Sequence, residues 1–167
     1  RQRQMCIRDR NYNWRTSGDS EAILALHENF IKQGGQANHQ DWVAKLNGMF
    51  SFALWDAKRE ELILARDALG IKPLVRCELD GSLLFSSEIK AFHAHESYQP
   101  KLDETALALR LSWEYTLDSS TLIEGVHQVR PGTVEVWKLD MQSKPYLASV
   151  KSFEPVSYTH LRAHETG

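Results

Sequence analysis

Two repeat lengths alternate along the chain. From Ser20 the stretch SEAILALHENFIKQGG places Ile23, Leu26 and Phe30 at helical spacing, with Ala22 and Ala25 widening the apolar stripe. Asp19 and Ser20 can cap this helix, Glu21 suits its first turn, and Gly34-Gly35 stops it. A short helix is expected around Asp41–Leu46, another over Glu88–His93, and a longer one in LDETALALRLSW, capped by Asp103. Elsewhere the period falls to two. In MFSFALWD, Phe50, Phe52 and Leu54 share one face while Ala53 and Trp55 share the other, which predicts a strand buried on both sides. ELILARD returns as its partner after the charged turn Ala57–Glu60. Leu74–Leu79 and Ser82–Ser86 flank Asp80-Gly81, a pair with easy access to positive φ and hence a two-residue hairpin turn. Thr133–Leu139 follows the Pro131-Gly132 turn as a late strand. Buried hairpin strands with helices on both sides predict a layered α+β sandwich.

The two ends of the chain carry a different signal. Met5-Cys6-Ile7-Arg8-Asp9 can be written ATG TGT ATA AGA GAC, and the reverse complement of that word encodes Val-Ser-Tyr-Thr-His, residues 156–160. The word resembles a transposase-end adapter used in sequencing libraries. Residues 1–10 and 156–167 are therefore read as adapter-derived, not native, and residues 11–155 as an internal piece of a longer gene. On that reading Cys6 is not a nucleophile, the Arg-rich start is not a nucleic-acid arm, and His160 with His164 is not a metal pair.

Setting the ends aside changes the charge balance. Without Arg1, Arg3, Arg8, Arg10, Arg162, Asp9 and Glu165, the 20 basic and 22 acidic residues become 15 and 20, so the net charge moves from −2 to −5. A mildly acidic domain argues against a nucleic-acid surface or a basic membrane patch. No apolar run approaches the roughly 20 residues that span a bilayer. Cys77, the one cysteine outside the flanks, excludes an internal disulfide framework and fits a reducing, cytoplasmic setting.

Several residues invite chemistry that their surroundings do not support. Cys77 has no terminal amine and no evident His partner, so it reads as a small apolar strand residue. His93 and His95 lack further ligands at metal spacing and read as solvated. Leu117-Asp118-Ser119-Ser120 lacks the glycines a phosphate loop needs. Arg66-Asp67, Gly70 and Lys72-Pro73 read as a strand end and a shaped turn with an internal ion pair, and Ser87-Glu88 with Lys90 as structural too.

Taken in order, NWRTSGDSEAIL, LNGMFSFALWD, LARDALGIKPL, LLFSSEIKAF, LDETALALRL and TLIEGVHQVRPGT resemble the glutamine amidotransferase domain of glutamine-hydrolysing asparagine synthases. The resemblance implies a four-layer αββα N-terminal-nucleophile sandwich with antiparallel sheets, here without its N-terminal part. It implies a cysteine that attacks the amide of glutamine and uses its own α-amine, of pKa about 7.7–8.0, as the base. That cysteine lies upstream of Asn11, so no catalytic residue is assigned in this chain and the fragment is expected to be inactive. Asp19 matches the family carboxylate that pairs with the α-ammonium group of glutamine, although Gly18 stands where relatives often have serine. No metal site is assigned; ATP and Mg²⁺ belong to a missing C-terminal synthetase domain that would amidate aspartate. Val75-Arg76-Cys77 departs from the aromatic pair usual after this proline. Glutamine and the synthetase domain are the implied partners, and a homodimer is left open. The alternatives are the glutaminase domain of another amidotransferase, a synthase-like ligase with a different acceptor, and a non-catalytic structural or dimerisation domain.

Overall fold

The computed structural model describes residues 12, 14–16, 18–35, 38–114 and 118–154. Cys6, His160, His164 and the paired flanking peptides lie outside them. The chain divides into two compact units, one carrying the first two helices and the other spanning Gly48–Phe153.

In the first unit α1 covers Asp19–Lys32 and α2 covers Gln40–Val43. The stripe read from the sequence is buried at Ala22, Ala25 and Leu26, whereas Leu24, off the stripe, is exposed. α1 ends as its glycines require. Gln33 is the C-cap, Gly34 takes φ +80°, Gly34 N–H donates to Ile31 O at 3.0 Å and Gly35 N–H to Phe30 O at 3.0 Å. That is the Schellman pattern, which satisfies carbonyls the helix would otherwise leave bare. α2 is shorter than expected, but it buries Trp42 and Val43, and Trp42 Nε1–H donates to His39 Nδ1 at 3.1 Å.

The second unit contains two antiparallel sheets. One has the order β1-β2-β6-β7, with β1 Ser51–Asp56, β2 Glu61–Arg66, β6 Thr133–Leu139 and β7 Pro145–Ser152. The other has the order β4-β3-β5, with β3 Val75–Leu79, β4 Ser82–Ser86 and β5 Val126–Gln128. The expected hairpin forms at Asp80 (φ 49°) and Gly81 (φ 73°), two positive values that match the strand twist. The expected helix near Glu88 is a 3-10 turn over Ile89–Ala94. α3 covers Glu104–Trp113, and Asp103 caps it by accepting from Ala106 N–H at 2.9 Å.

Leu64, Leu74, Val129 and Trp137, packed with Leu62, Leu83 and Leu147, join the facing sheets. Between them Arg76 of β3 lies 5.0 Å from the Trp137 ring and pairs with Glu135 of β6 at 2.8 Å. Val75 and Cys77 turn the other way, into a second cluster with Phe92, Tyr98 and Val126. The class is α+β, with sheets face to face as expected.

One expectation fails at β1. Among the described residues it is an edge strand, not one buried on both faces: Leu54 is buried, while Ala53 is exposed and Trp55 is 52% exposed. The doubly buried strand is β2, where Ile63, Leu64 and Ala65 are all inaccessible to solvent. The face of β1 carrying Ala53 and Trp55 is continuous with the inter-sheet face of Leu62 and Leu64. The three-stranded sheet stops short of it, leaving an open apolar groove of about 440 Å³ beside Trp55, Leu83, Phe85 and Trp137.

Candidate functional site

Asp19, the assigned substrate-binding residue, is the first residue of α1. The N-cap is Gly18, in extended backbone at φ −77° and ψ 149°, so neither Asp19 nor Ser20 occupies the capping position. A glycine brings no side-chain acceptor to the helix start. Glu21, in the third helical position, supplies one from within the first turn. Its Oε1 accepts from Arg15 N–H at 2.7 Å, and its Oε2 accepts from Thr16 N–H at 2.7 Å and from Thr16 Oγ1–H at 2.6 Å. Thr16 Oγ1 accepts in turn from Gly18 N–H at 3.2 Å. This is capping-box logic with a longer reach. The Thr16 hydroxyl and the Arg15 amide hold the Glu21 carboxyl below the ordinary glutamate range, and Glu21 stays ionised although its side chain is buried. Sequence reading placed Glu21 in the first turn but gave it no task; the available signal was a glutamate three residues after the cap.

Around this start lies an open groove of about 690 Å³ whose walls include Tyr12, Arg15, Thr16, Ser20, Glu21 and Glu28. Burial, together with the carboxylates of Glu28 and Glu21, raises the Tyr12 phenol above its ordinary value, so it remains a neutral donor. Glu28 is paired with Lys32 at 3.6 Å on the exposed face. The groove therefore presents hydroxyls, an arginine and carboxylates together.

Arg66 and Asp67 are buried, but they do not form the internal ion pair expected of them. Arg66 donates through Nε to Lys72 O (2.8 Å), through Nη1 to Val129 O (2.9 Å) and Gln128 Oε1 (3.1 Å), and through Nη2 to Gly70 O (2.7 Å). Asp67 accepts from the amides of Leu69 (3.1 Å), Ile71 (3.0 Å) and Lys72 (3.0 Å). Burial alone would raise the Asp67 carboxyl; the amides of Lys72, Ile71 and Leu69 outweigh it and hold it below the ordinary aspartate value. Both side chains thus bind the backbone of the loop after β2, and Arg66 also ties it to Gln128 and Val129. Gly70, at φ +64°, has no room for a side chain: a Cβ would sit 2.7 Å from Pro131 Cγ.

The remaining candidates take structural places. Burial raises the Cys77 thiol, which keeps it protonated in the strand core. His93 packs edge-on to Tyr98 with centroids 5.3 Å apart, and His95 Nδ1 accepts from Ser97 N–H at 3.3 Å. Lys90 pairs with Glu88 at 2.6 Å on the surface, and Arg130 pairs with Asp118. Ser119 O accepts from Gln128 N–H at 2.7 Å. Among the described residues no group of three or more His, Cys, Asp or Glu side chains could hold a metal ion, and no helix is long and apolar enough to cross a membrane.

Comparison with known proteins gives this arrangement a family. Glutamine-hydrolyzing asparagine synthetase 3 of Bacillus subtilis (strain 168) is 34% identical over 126 residues, covering 75% of this chain and 19% of that protein. Amidase chyE of Penicillium rubens is 37% identical over 116 residues, covering 70% of this chain and 16% of that protein. The chain thus spans 19% or less of the length of these two relatives. Among solved structures, glutamine phosphoribosylpyrophosphate amidotransferase from B. subtilis, complexed with ADP and GMP, shares the fold with a TM-score of 0.55. That likeness covers 92% of this chain and 26% of that one at 18% identity. Residues 2–147 match the glutamine amidotransferase domain, and the chain belongs to that family.

Proposed function

We propose that this chain is the glutaminase part of a glutamine-hydrolysing asparagine synthase, releasing ammonia from glutamine for the ATP-dependent amidation of aspartate by a separate synthetase domain. The observation that carries the reading is family membership over residues 2–147, combined with the asparagine synthetase relative that aligns with 75% of the chain. Asp19 binds the α-ammonium group of glutamine. Its place at the start of α1, beside the groove walled by Thr16, Ser20 and Glu21, supports the assignment. Residues 1–10 and 156–167 remain read as adapter-derived on the strand-complementary codons of their ends, although the family match starts at residue 2, and on that reading the attacking cysteine belongs to the native start of the gene.

The test uses the full-length enzyme with its native start. Asp19→Ala is expected to raise the KM for glutamine about tenfold or more, the equivalent of losing one charge-assisted hydrogen bond, while the melting temperature stays near that of the parent. An unchanged KM with a lowered melting temperature overturns the assignment and leaves Asp19 a structural residue. The acceptor is tested separately by product analysis with ATP, glutamine and aspartate. A second reading, a relative that amidates another acceptor, is favoured by the 37% identity to the Penicillium rubens amidase, and a product other than asparagine decides for it.

A further inference from the structure

Among the described residues Glu21 accepts three hydrogen bonds, and each reaches back across the start of α1: from Arg15 N–H, Thr16 N–H and Thr16 Oγ1–H, at 2.7, 2.7 and 2.6 Å. Its side chain is buried, which for a lone carboxylate is unfavourable unless donors replace water. Three donors do so. The helix cap, Gly18, has no side chain, yet its own N–H is held by Thr16 Oγ1. Thr16 is thus tied to the chain before Asp19 through Gly18, and to the helix after Asp19 through Glu21. The first helical residue lies between the two ends of one clasp.

We propose that Glu21 is a positioning residue for glutamine binding: it clasps residues 15–16 to the first turn of α1 and so fixes the backbone from which Asp19 meets the substrate. The inference rests on the assignment of Asp19 to glutamine. Glutamate suits the task because an ionised carboxylate has only acceptors, and each of its two oxygens faces a backbone N–H that can only donate, Arg15 N–H at Oε1 and Thr16 N–H at Oε2. A glutamine side chain would turn an NH₂ group toward at least one of these donors. Aspartate is one methylene shorter and would not span from the third helical position to Arg15 and Thr16. The clasp acts on where Asp19 stands and leaves the chemistry of amide cleavage untouched.

The experiment compares glutamine hydrolysis by the full-length enzyme and its Glu21→Gln, Thr16→Val, Thr16→Ser and Asp19→Ala variants. Glu21→Gln is expected to raise the KM for glutamine about tenfold with kcat within about twofold of the parent. Thr16→Val, which removes one of the three donors and keeps both amides, is expected to give a smaller rise; Thr16→Ser, which restores the hydroxyl, returns KM to the parent value. An unchanged KM in Glu21→Gln and Thr16→Val, alongside a raised KM in Asp19→Ala, overturns the positioning role and leaves the substrate assignment standing. An unchanged KM in Asp19→Ala overturns the assignment itself. If Glu21→Gln fails to fold, the Thr16 pair decides: equal KM values for the valine and serine variants end the proposal.

Discussion

Asp67 organises the turn after β2 through three backbone amides. The sequence offered a strand end and a shaped turn with an internal ion pair across Arg66-Asp67, Gly70 and Lys72-Pro73. The loop after β2 occupies both side chains instead, its carbonyls taking the donors of Arg66 and its amides the acceptors of Asp67. Asp67→Asn keeps one acceptor and turns an NH₂ toward the amide of Lys72 or Ile71. It is expected to destabilise the domain by about 1–3 kcal/mol at neutral pH. Because the folded carboxyl titrates below its ordinary value of 3.8, its contribution is complete above that value and fades as pH falls through the depressed one. Denaturant melts should therefore show a gap between parent and variant that is full at neutral pH and narrows below about pH 4. A gap of constant size down to pH 2 contradicts this account. Asp19 and Glu21 give the matching lesson at the candidate site. The motif located Asp19, but Glu21's task depends on where Arg15 and Thr16 lie, which no spacing rule states.

Between the sheets the departure at Arg76 acquires a physical meaning. This cation is neutralised by Glu135 and lies over Trp137, and Glu135 Oε2, which faces Arg76 Nε, also accepts from Trp137 Nε1–H at 3.0 Å. Glu135→Gln preserves an acceptor for the indole but leaves the inter-sheet side of the Arg76 guanidinium stranded, with only the more exposed Glu78 at 3.6 Å, and is expected to cost about 3 kcal/mol. Adding Arg76→Met removes the stranded charge, so the double variant should recover most of that loss in equilibrium unfolding. If the double variant is as unstable as the sum of the two single ones, the sheets are not joined by this pair. At the same scale, β2, β3, β4, β6, α1 and α3 were legible because each carries a clear period and a cap or turn residue. β5 has three residues, too few for any period. β7 alternates only weakly, begins at Pro145, and bulges opposite Val136/Trp137. β1 was legible as a strand but not as an edge, since edge position depends on what fails to cover it.

For the molecule as a whole, the chain corresponds to 19% of the length of the Bacillus subtilis relative; the proposed reaction calls for a cysteine with a free α-amine, and Cys77, the cysteine within residues 11–155, is buried in a strand. The 167-residue chain is expected to release no ammonia from glutamine above the uncatalysed rate, whereas the full-length enzyme with its native start should do so. Ammonia production by this chain that is lost in Cys6→Ala would show that Cys6 is the nucleophile and that the amino-terminal flank is native.

The sequence by itself determined the α+β class, most hairpins and helices, and the order of motifs that pointed to a glutamine amidotransferase domain. These are local or linear properties, written in periods, caps, turns and short ordered blocks. Tertiary structure alone decided that β1 is an edge, that Arg66 and Asp67 serve a loop, that Arg76 bridges two sheets, and that Glu21 clasps the approach to Asp19. Each of those depends on which carbonyl, amide or carboxylate arrives from elsewhere in the fold, and a hydrogen bond is set by distance in space.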